Sequence, residues 1–497
     1  MSLTRRERWL LVVFLVSLPL INPWIRGDGI GYYAFARAPL IEHNLDFQHD
    51  YQSGNASFRD ARIDENGAPR PSFRTATGHL DNHFTVGPAI LWTPFLLVAH
   101  AGVLLARACG SHVAADGFSV PYRVAMAFGT ALYGFLGLLL SNRLATKYVE
   151  ERWAFVATVA IWWSSSLPVY MYFNPSWSHA HSAFAVALFL WYWHETRDRR
   201  TTRQWCILGV IAGLMLNVYY ANATILVVLV VEGFRQYLAV FRNASPSVPA
   251  NMDARGVVSR ANVVRHDTSL VSATVVQLFA NHVLFNFIVI VCLLPTFVSR
   301  YVIYGSALES GYVPLREWAW RSPYFLSVLF SSEHGLVAWT PVAIVAVAGL
   351  FILWVRDPRM GIPILAAVAG FYLLIACYPD WAGISSYGNR FFISLTAPFV
   401  LGLSVLFDRA ASWFRSPRSA LVTASTLVAC LVLWNMAFMF QWGTHLVPAR
   451  GPIVWSQMLH NQFFVVPREV SSKLQAYLFH RANLMHQIEE RDIEQMK

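Results

Sequence analysis

Apolar residues fall in runs of about twenty along most of this chain, with short polar stretches between them. Wound as a helix, a run of that length crosses a hydrocarbon core about 30 Å thick. The runs lie at about 9–25, 122–141, 153–172, 177–194, 205–219, 221–238, 278–298, 335–355, 361–377, 391–407 and 419–440. Together they predict an all-α polytopic membrane protein with about eleven transmembrane helices. One further apolar segment, 83–106, is interrupted by Gly87, Pro88 and Pro94. It reads as an outer-face or re-entrant helix pair, which keeps the charge pattern consistent; the alternative is a twelfth span, which would put "RDRR" outside.

That pattern sets the orientation. Arg5, Arg6 and Arg8 precede the first run, Arg143 and Lys147 end the second, and "RDRRTTR", "RDPR" and "DRAASWFRSPR" follow later ones. Arg and Lys in short loops mark the cytoplasmic side. The N-terminus is then cytoplasmic and the C-terminal segment 441–497 lies outside. Residues 26–120 form a long first outer loop carrying surface helices, and 241–277 is a polar cytoplasmic loop. The transmembrane module is 1–440.

Composition agrees with a membrane protein. Of 497 residues, 56% are hydrophobic and only 13% charged, where a soluble protein carries about 25%. The net charge of +10 sits in the short loops and signals orientation, not nucleic-acid binding. The five cysteines are scattered without C-x-x-C spacing and read as small hydrophobes. Residues 5–25 resemble a signal peptide but lack a small-x-small cleavage site, so they read as an uncleaved first helix. No phosphate-binding loop, G-x-S-x-G or H-E-x-x-H motif occurs.

The chemistry is concentrated just after the first span, in "RGDGIGYYAFARAPLIEHNLDF", residues 26–47. Asp28 lies between two glycines at the membrane edge, where a polar group is costly unless it faces a cavity. Gly27 and Gly29 allow a turn and the close approach of a ligand. Tyr33 and Arg37, four apart, share a helix face. An acid, an aromatic face and an arginine beside a membrane suit a polar group carried on a lipid.

Here the chain resembles the GT-C superfamily of integral-membrane glycosyltransferases, with the protein O-mannosyltransferases and lipid A aminoarabinose transferases among its members. "GDGIGYYAFARAPL" resembles the family's acidic motif early in the first outer loop. "HFTVGPAILWTPF" resembles the segment that closes that loop, "YRVAMAFGTALYGFLGLLLSNRLA" the following helix, and "WAGISSYGNRFFISLTAPFVLGLS" a W-G-x-x-x-x-G-x-R segment of many bacterial members. Gly29 stands where the mannosyltransferases have Glu, which leaves sugar and acceptor open.

The resemblance implies an enzyme of a bacterial inner membrane, moving a sugar from a polyprenyl-phosphate donor to an acceptor hydroxyl on the outer face with inversion. The acceptor is a glycan, a lipid or a protein, and no cofactor is required. Asp28 is then the general base. Arg390, beside Gly388 at the end of an outer loop, is the first choice for the donor phosphate, and His83 the second. Arg74 and Arg300 are further cationic candidates, and Glu333 is a candidate second acid. His79, Asp81 and His83 alternate along an extended strand and form the one conceivable metal cluster; a metal is not expected. Asp46 and Asp50 read as solvated or acceptor-contacting. His179 and His181 read as structural, with Ser176 or Ser178 capping their helix. Two other readings remain: a lipid-linked-substrate transporter or flippase, and a non-catalytic lipid-binding subunit.

Overall fold

The computed structural model describes residues 3–198, 200–244 and 260–494. Among these the chain is all-α, with two isolated bridges, Ile63 to Pro69 and Arg74 to Leu80, and no strand. Helix α1 (Arg5–Ser17) opens on a capping box between Thr4 and Glu7. The first polar stretch holds α2 (Asp28–Arg37), α3 (Gln48–Gln52) and α4 (Ala56–Arg62). Then follow α5 (Gly87–Ala108), α6 (Val120–Ala145), α7 (Glu151–Trp163), α8 (His179–Thr196), α9 (Thr202–Val218), α10 (Val227–Ala244), α11 (Arg260–Cys292) and α12 (Leu294–Tyr304). Two short helices, α13 (Phe325–Phe330) and α14 (Leu336–Trp339), lead to α15 (Val342–Arg356), α16 (Pro358–Cys377), α17 (Thr396–Ala411) and α18 (Pro417–Gly443). The C-terminal segment holds α19 (Trp455–His460), α20 (Val466–Phe479) and α21 (Arg481–Glu494).

This is a polytopic membrane fold. Every expected apolar run falls on helix, and seven helical segments among the described residues are long and apolar enough to cross a bilayer. Several expected spans stop short, for one physical reason. Pro19, Pro168, Pro295 and Pro341 interrupt the runs at 9–25, 153–172, 278–298 and 335–355. A proline has no N–H to donate and its ring clashes with the preceding turn. Broken backbone at membrane depth is tolerated only where protein or a cavity surrounds it.

Ion pairs define one face of the bundle. Glu7 meets Arg143, Lys147 meets Glu195 at 2.8 Å, Arg200 meets Glu232 at 3.3 Å, and Arg356 meets Asp408 at 2.8 Å. These groups sit at helix ends that carry the basic loops. Asp28, the start of α8, the end of α9 and the loop before α17 lie at the opposite ends of the same helices.

Two expectations need correction. Within the segment 83–106, residues from Gly87 on form one continuous helix, not a pair, long and apolar enough to cross a bilayer; Pro94 is accommodated within α5. The helix runs antiparallel to the first half of α6, with Trp92 Nε1 donating to Thr130 Oγ1 at 2.8 Å and His100 beside Tyr122 at 2.6 Å. Thr85, just before it, bonds the Val218 carbonyl, and the loop after it lies on α2, so both ends of α5 approach the Asp28 face. The polar stretch 241–277 is entered by α10 and from Arg260 onward by α11, because 260–277 holds no Gly or Pro to stop a helix; residues 245–259 lie outside the described residues. The C-terminal segment packs onto the end of the first apolar run and onto the first outer loop, with Tyr477 donating to the Leu20 carbonyl at 2.7 Å and Glu489 accepting from the Ala56 N–H at 2.8 Å.

Candidate functional site

Asp28 opens α2, where a carboxylate suits the positive end of the helix dipole. Gly27 before it has φ +54°, a left-handed value that costs a residue with a side chain free energy; its N–H donates to Asn55 Oδ1 at 2.9 Å. A Cβ on Gly29 would lie 1.9 Å from Ser176 Oγ and 2.5 Å from Ser176 Cβ. The close approach that the glycine permits is therefore made by Ser176, not by a ligand. Asp28 itself keeps 34% of its side-chain surface open.

Arg390 arrives from the far end of the chain. Its Nη2 lies 2.9 Å from Asp28 Oδ2, and its guanidinium sits 4.3 Å above the Trp177 ring. Its Nε is buried and has no partner among the described residues, so the fork retains a donor. The loop that presents Arg390 is fastened from several sides. His334 Nδ1 lies 2.7 Å from the Ala382 carbonyl, Asn389 Nδ2 donates to the Trp381 carbonyl at 3.1 Å, and Tyr387 donates to Asn435 Oδ1 at 2.7 Å. Burial pushes His334 down to about 4, so it is neutral at pH 7. One turn beyond Asp28, Tyr32 accepts a hydrogen bond from Ser178 Oγ at 3.0 Å. Burial, then the Asp28 charge, push the Tyr32 phenol up to about 12, so it stays neutral.

Asp28 and Arg390 line a polar cavity of about 240 Å³. Its remaining walls are Arg26, Asn55 and Arg62 of the first outer loop, Trp177 before α8, and Trp442, His445, Arg450 and Asp492 of the C-terminal segment. Asp492 pairs with Arg26 and with His445, the latter at 2.8 Å. Burial alone would raise the Asp492 carboxyl, but His445 and Arg26 outweigh it and hold it below the usual carboxylate range.

An apolar groove of about 530 Å³ opens on the surface between α15 and α16. Leu336, Val347, Phe351, Leu365, Tyr372 and Phe392 line it. Phe351 is half exposed, so the groove faces the surface that lipid covers. Phe392, two residues after Arg390, is the groove residue nearest in sequence to the polar site, although the groove and the cavity share no lining residue.

The other predicted residues lie elsewhere. Tyr33 and Arg37 do share a face, but it turns away from Asp28: Tyr33 donates to the Gly117 carbonyl at 2.6 Å, and Arg37 is buried against Asp50 at 3.0 Å, Glu42 and His49. Asp50 is accordingly not solvated. Tyr33 and Asp50 line a separate cavity of about 360 Å³. His83 pairs with Asp81 at 3.3 Å and Arg300 donates to the carbonyls of Asn82, His83 and Phe84, which holds this segment to α12. Arg74 is exposed and donates to the Gly78 carbonyl. Glu333 is half-buried in the turn before α14, where its N–H takes Ser331 Oγ at 3.0 Å. None of these lines the Asp28 cavity.

His79 turns to Thr77 while His83 turns to Asp81. Among the described residues no three His, Cys, Asp or Glu side chains gather as a metal site. Ser178 occupies the N-cap of α8, but its hydroxyl goes to Tyr32 and makes no cap bond. Asn55, in the Asn-Ala-Ser triplet, is buried and engaged with Gly27 and Ser57.

Sequence reasoning missed Tyr32, Trp177, Trp442, His445 and Asp492. Tyr32 was within reach, since it lies four residues from Asp28 and shares its helix face. The C-terminal wall offers no local signal.

No family profile and no curated protein matches this chain. Among solved structures it is similar to an archaeal oligosaccharyltransferase, AglB from Archaeoglobus fulgidus, in complex with an inhibitory peptide and a dolichol-phosphate, at 16% identity and a TM-score of 0.45. It is also similar to the apo form of the Archaeoglobus fulgidus oligosaccharyltransferase, at 14% identity and a TM-score of 0.48. Each match covers 88% of this chain and 56% of the other, so the chain spans little more than half the length of these proteins.

Proposed function

We propose that this chain is a GT-C-type membrane glycosyltransferase that moves a sugar from a polyprenyl-phosphate donor to an acceptor hydroxyl on the outer face. The observation that carries the reading is the Asp28–Arg390 pair lining a polar cavity, in a chain that also opens an apolar groove lined by Phe392, two residues after Arg390. A lipid-linked phosphosugar needs both environments at one point. The basic helix ends on the opposite face support the cytoplasmic placement of the N-terminus and the outward placement of Asp28.

In this mechanism the tail lies in the groove lined by Phe351, Leu365 and Phe392, and the donor phosphate takes the Arg390 guanidinium. Arginine binds phosphate through two parallel N–H bonds, and the unpartnered Nε of Arg390 adds a donor. Engagement of the phosphate draws Arg390 from Asp28 and frees the carboxylate. Asp28 then accepts the proton of the acceptor hydroxyl as that oxygen attacks the anomeric carbon. The bond from that carbon to the phosphate oxygen breaks with its electron pair, and the polyprenyl phosphate leaves as an anion neutralised by Arg390. A single displacement inverts the anomeric centre. Tyr32, neutral at working pH, is fixed one turn after the base by the hydrogen bond from Ser178.

Mass spectrometry of the lipid that co-purifies with the protein tests the donor class. A polyprenyl phosphate sugar is expected; a lipid without phosphosugar, in preparations where Arg390→Gln retains the same lipid, contradicts the reading.

A further inference from the structure

The charges around the Asp28 cavity do not balance. Arg26, Arg62, Arg390 and Arg450 line it against two carboxylates, Asp28 and Asp492. Arg390 is taken by Asp28 and Arg26 by Asp492. Arg62 and Arg450 are left without a carboxylate partner among the described residues.

Both are nevertheless held in place. The Arg62 guanidinium lies 3.7 Å above the Phe58 ring and 5.0 Å from that of Phe73, and Nη1 donates to the Phe58 carbonyl at 3.2 Å. Stacking on a ring face orients a guanidinium without using its in-plane donors. Arg450 donates through Nε to Ser385 Oγ at 2.6 Å, which leaves its two terminal nitrogens free to face the cavity. The two arginines come from separate parts of the chain, α4 and the segment after α18, and both line the Asp28 cavity while neither lines the apolar groove. Asp28 and Asp81 act on Arg62 only at a distance, and two positioned cations without a carboxylate contact in a partly enclosed polar cavity raise the local concentration of anions and bind them through charge-assisted hydrogen bonds.

Building on the function proposed above, we infer that the acceptor carries an anionic group, phosphate or carboxylate, near its reacting hydroxyl, and that Arg62 and Arg450 bind it. The acceptor hydroxyl is thereby set toward Asp28 while the donor phosphate stays with Arg390. The two anions of the reaction are kept apart by separate arginines.

The test is calorimetric titration of the full chain in lipid nanodiscs with three probes: a hexose 1-phosphate, a hexuronate and a neutral methyl hexoside. The wild-type protein should bind one or both charged probes more tightly than the neutral one. Arg62→Gln and Arg450→Gln should each weaken the charged probes by at least about tenfold and leave the methyl hexoside unchanged. Arg450→Lys, a change at an exposed position that keeps the charge, should restore part of the loss, and Arg59→Gln, outside this cavity, should change nothing. The relative response to phosphate and carboxylate identifies the group. Equal binding of charged and neutral probes overturns the inference. So does a charge preference that survives in the Arg62→Gln, Arg450→Gln double variant, or one abolished by Arg390→Gln alone, which would put the anion in the donor's phosphate position. Charge preference that depends on Arg62 and Arg450, found together with a co-purified lipid lacking phosphosugar, would fail the proposed function and leave the anion site standing.

Discussion

Arg37 offers the sharpest contrast between a ligand-binding role and a structural one. Its side chain and that of Asp50 are each 1% exposed, and their charged groups meet at 3.0 Å. Arg37 also donates to the Asp116 carbonyl at 3.0 Å, contacts Glu42 and His49, and stacks 4.3 Å from the Phe118 ring. Arg37→Leu would leave Asp50 buried without its cation, a loss of about 3–5 kcal/mol, which is a large fraction of a typical folding free energy. Burial already pushes the Asp50 carboxyl up to about 7 against the pull of Arg37, from an ordinary value of 3.8. The folded state therefore keeps a proton that the unfolded state loses, and this group's contribution to stability falls as pH rises from about 4 to about 7. Without Arg37 the opposing pull is gone, the folded value moves higher, and the decline continues into the alkaline range. Thermal unfolding in detergent at pH 5, 7 and 9 should thus show a deficit in Arg37→Leu that widens with pH. Most of it should be recovered by adding Asp50→Leu, which removes the orphaned acid. A variant as stable as wild type at every pH, but with weakened donor or acceptor binding, would refute the structural assignment and restore the ligand-binding one.

Arg390→Gln should lower turnover by about 10²–10³-fold, the range for losing one preorganised donor to a developing anion, read as transfer rate at saturating acceptor; an unchanged rate would remove Arg390 from the site. Gly29→Ala brings a Cβ into Ser176 and should cost about 1–3 kcal/mol of stability by overpacking, with reduced transfer as α2 is pushed from the start of α8; calorimetric unfolding temperatures and transfer rates check it together. Adding Ser176→Gly should relieve part of both effects.

The apolar runs were readable because period and length report directly on the bilayer. Where runs broke, the prolines at 19, 168, 295 and 341 marked the places, yet run length alone concealed them. Asp28 and Arg390 stood out because each is a charge near glycine at a membrane edge, and the fold brings them together from distant parts of the chain. Arg37 looked equivalent to them. Its partners at positions 42, 49, 50 and 116 come from the turn after α2, from α3 and from a distant loop, a set that the spacing along one helix does not specify. The same holds for His445 and Asp492, whose place in the cavity depends on how α21 folds back on the first outer loop. The alternation of His79, Asp81 and His83 does not keep the three together: His83 pairs with Asp81, while His79 turns to Thr77.

The direct test of the account is Asp28→Asn, an isosteric change that removes the base and keeps the shape. Transfer of sugar from a polyprenyl phosphate donor should fall by about 10²–10⁴-fold, the usual contribution of a positioned general base, while the donor remains bound and the unfolding temperature holds. Full turnover in Asp28→Asn would contradict it.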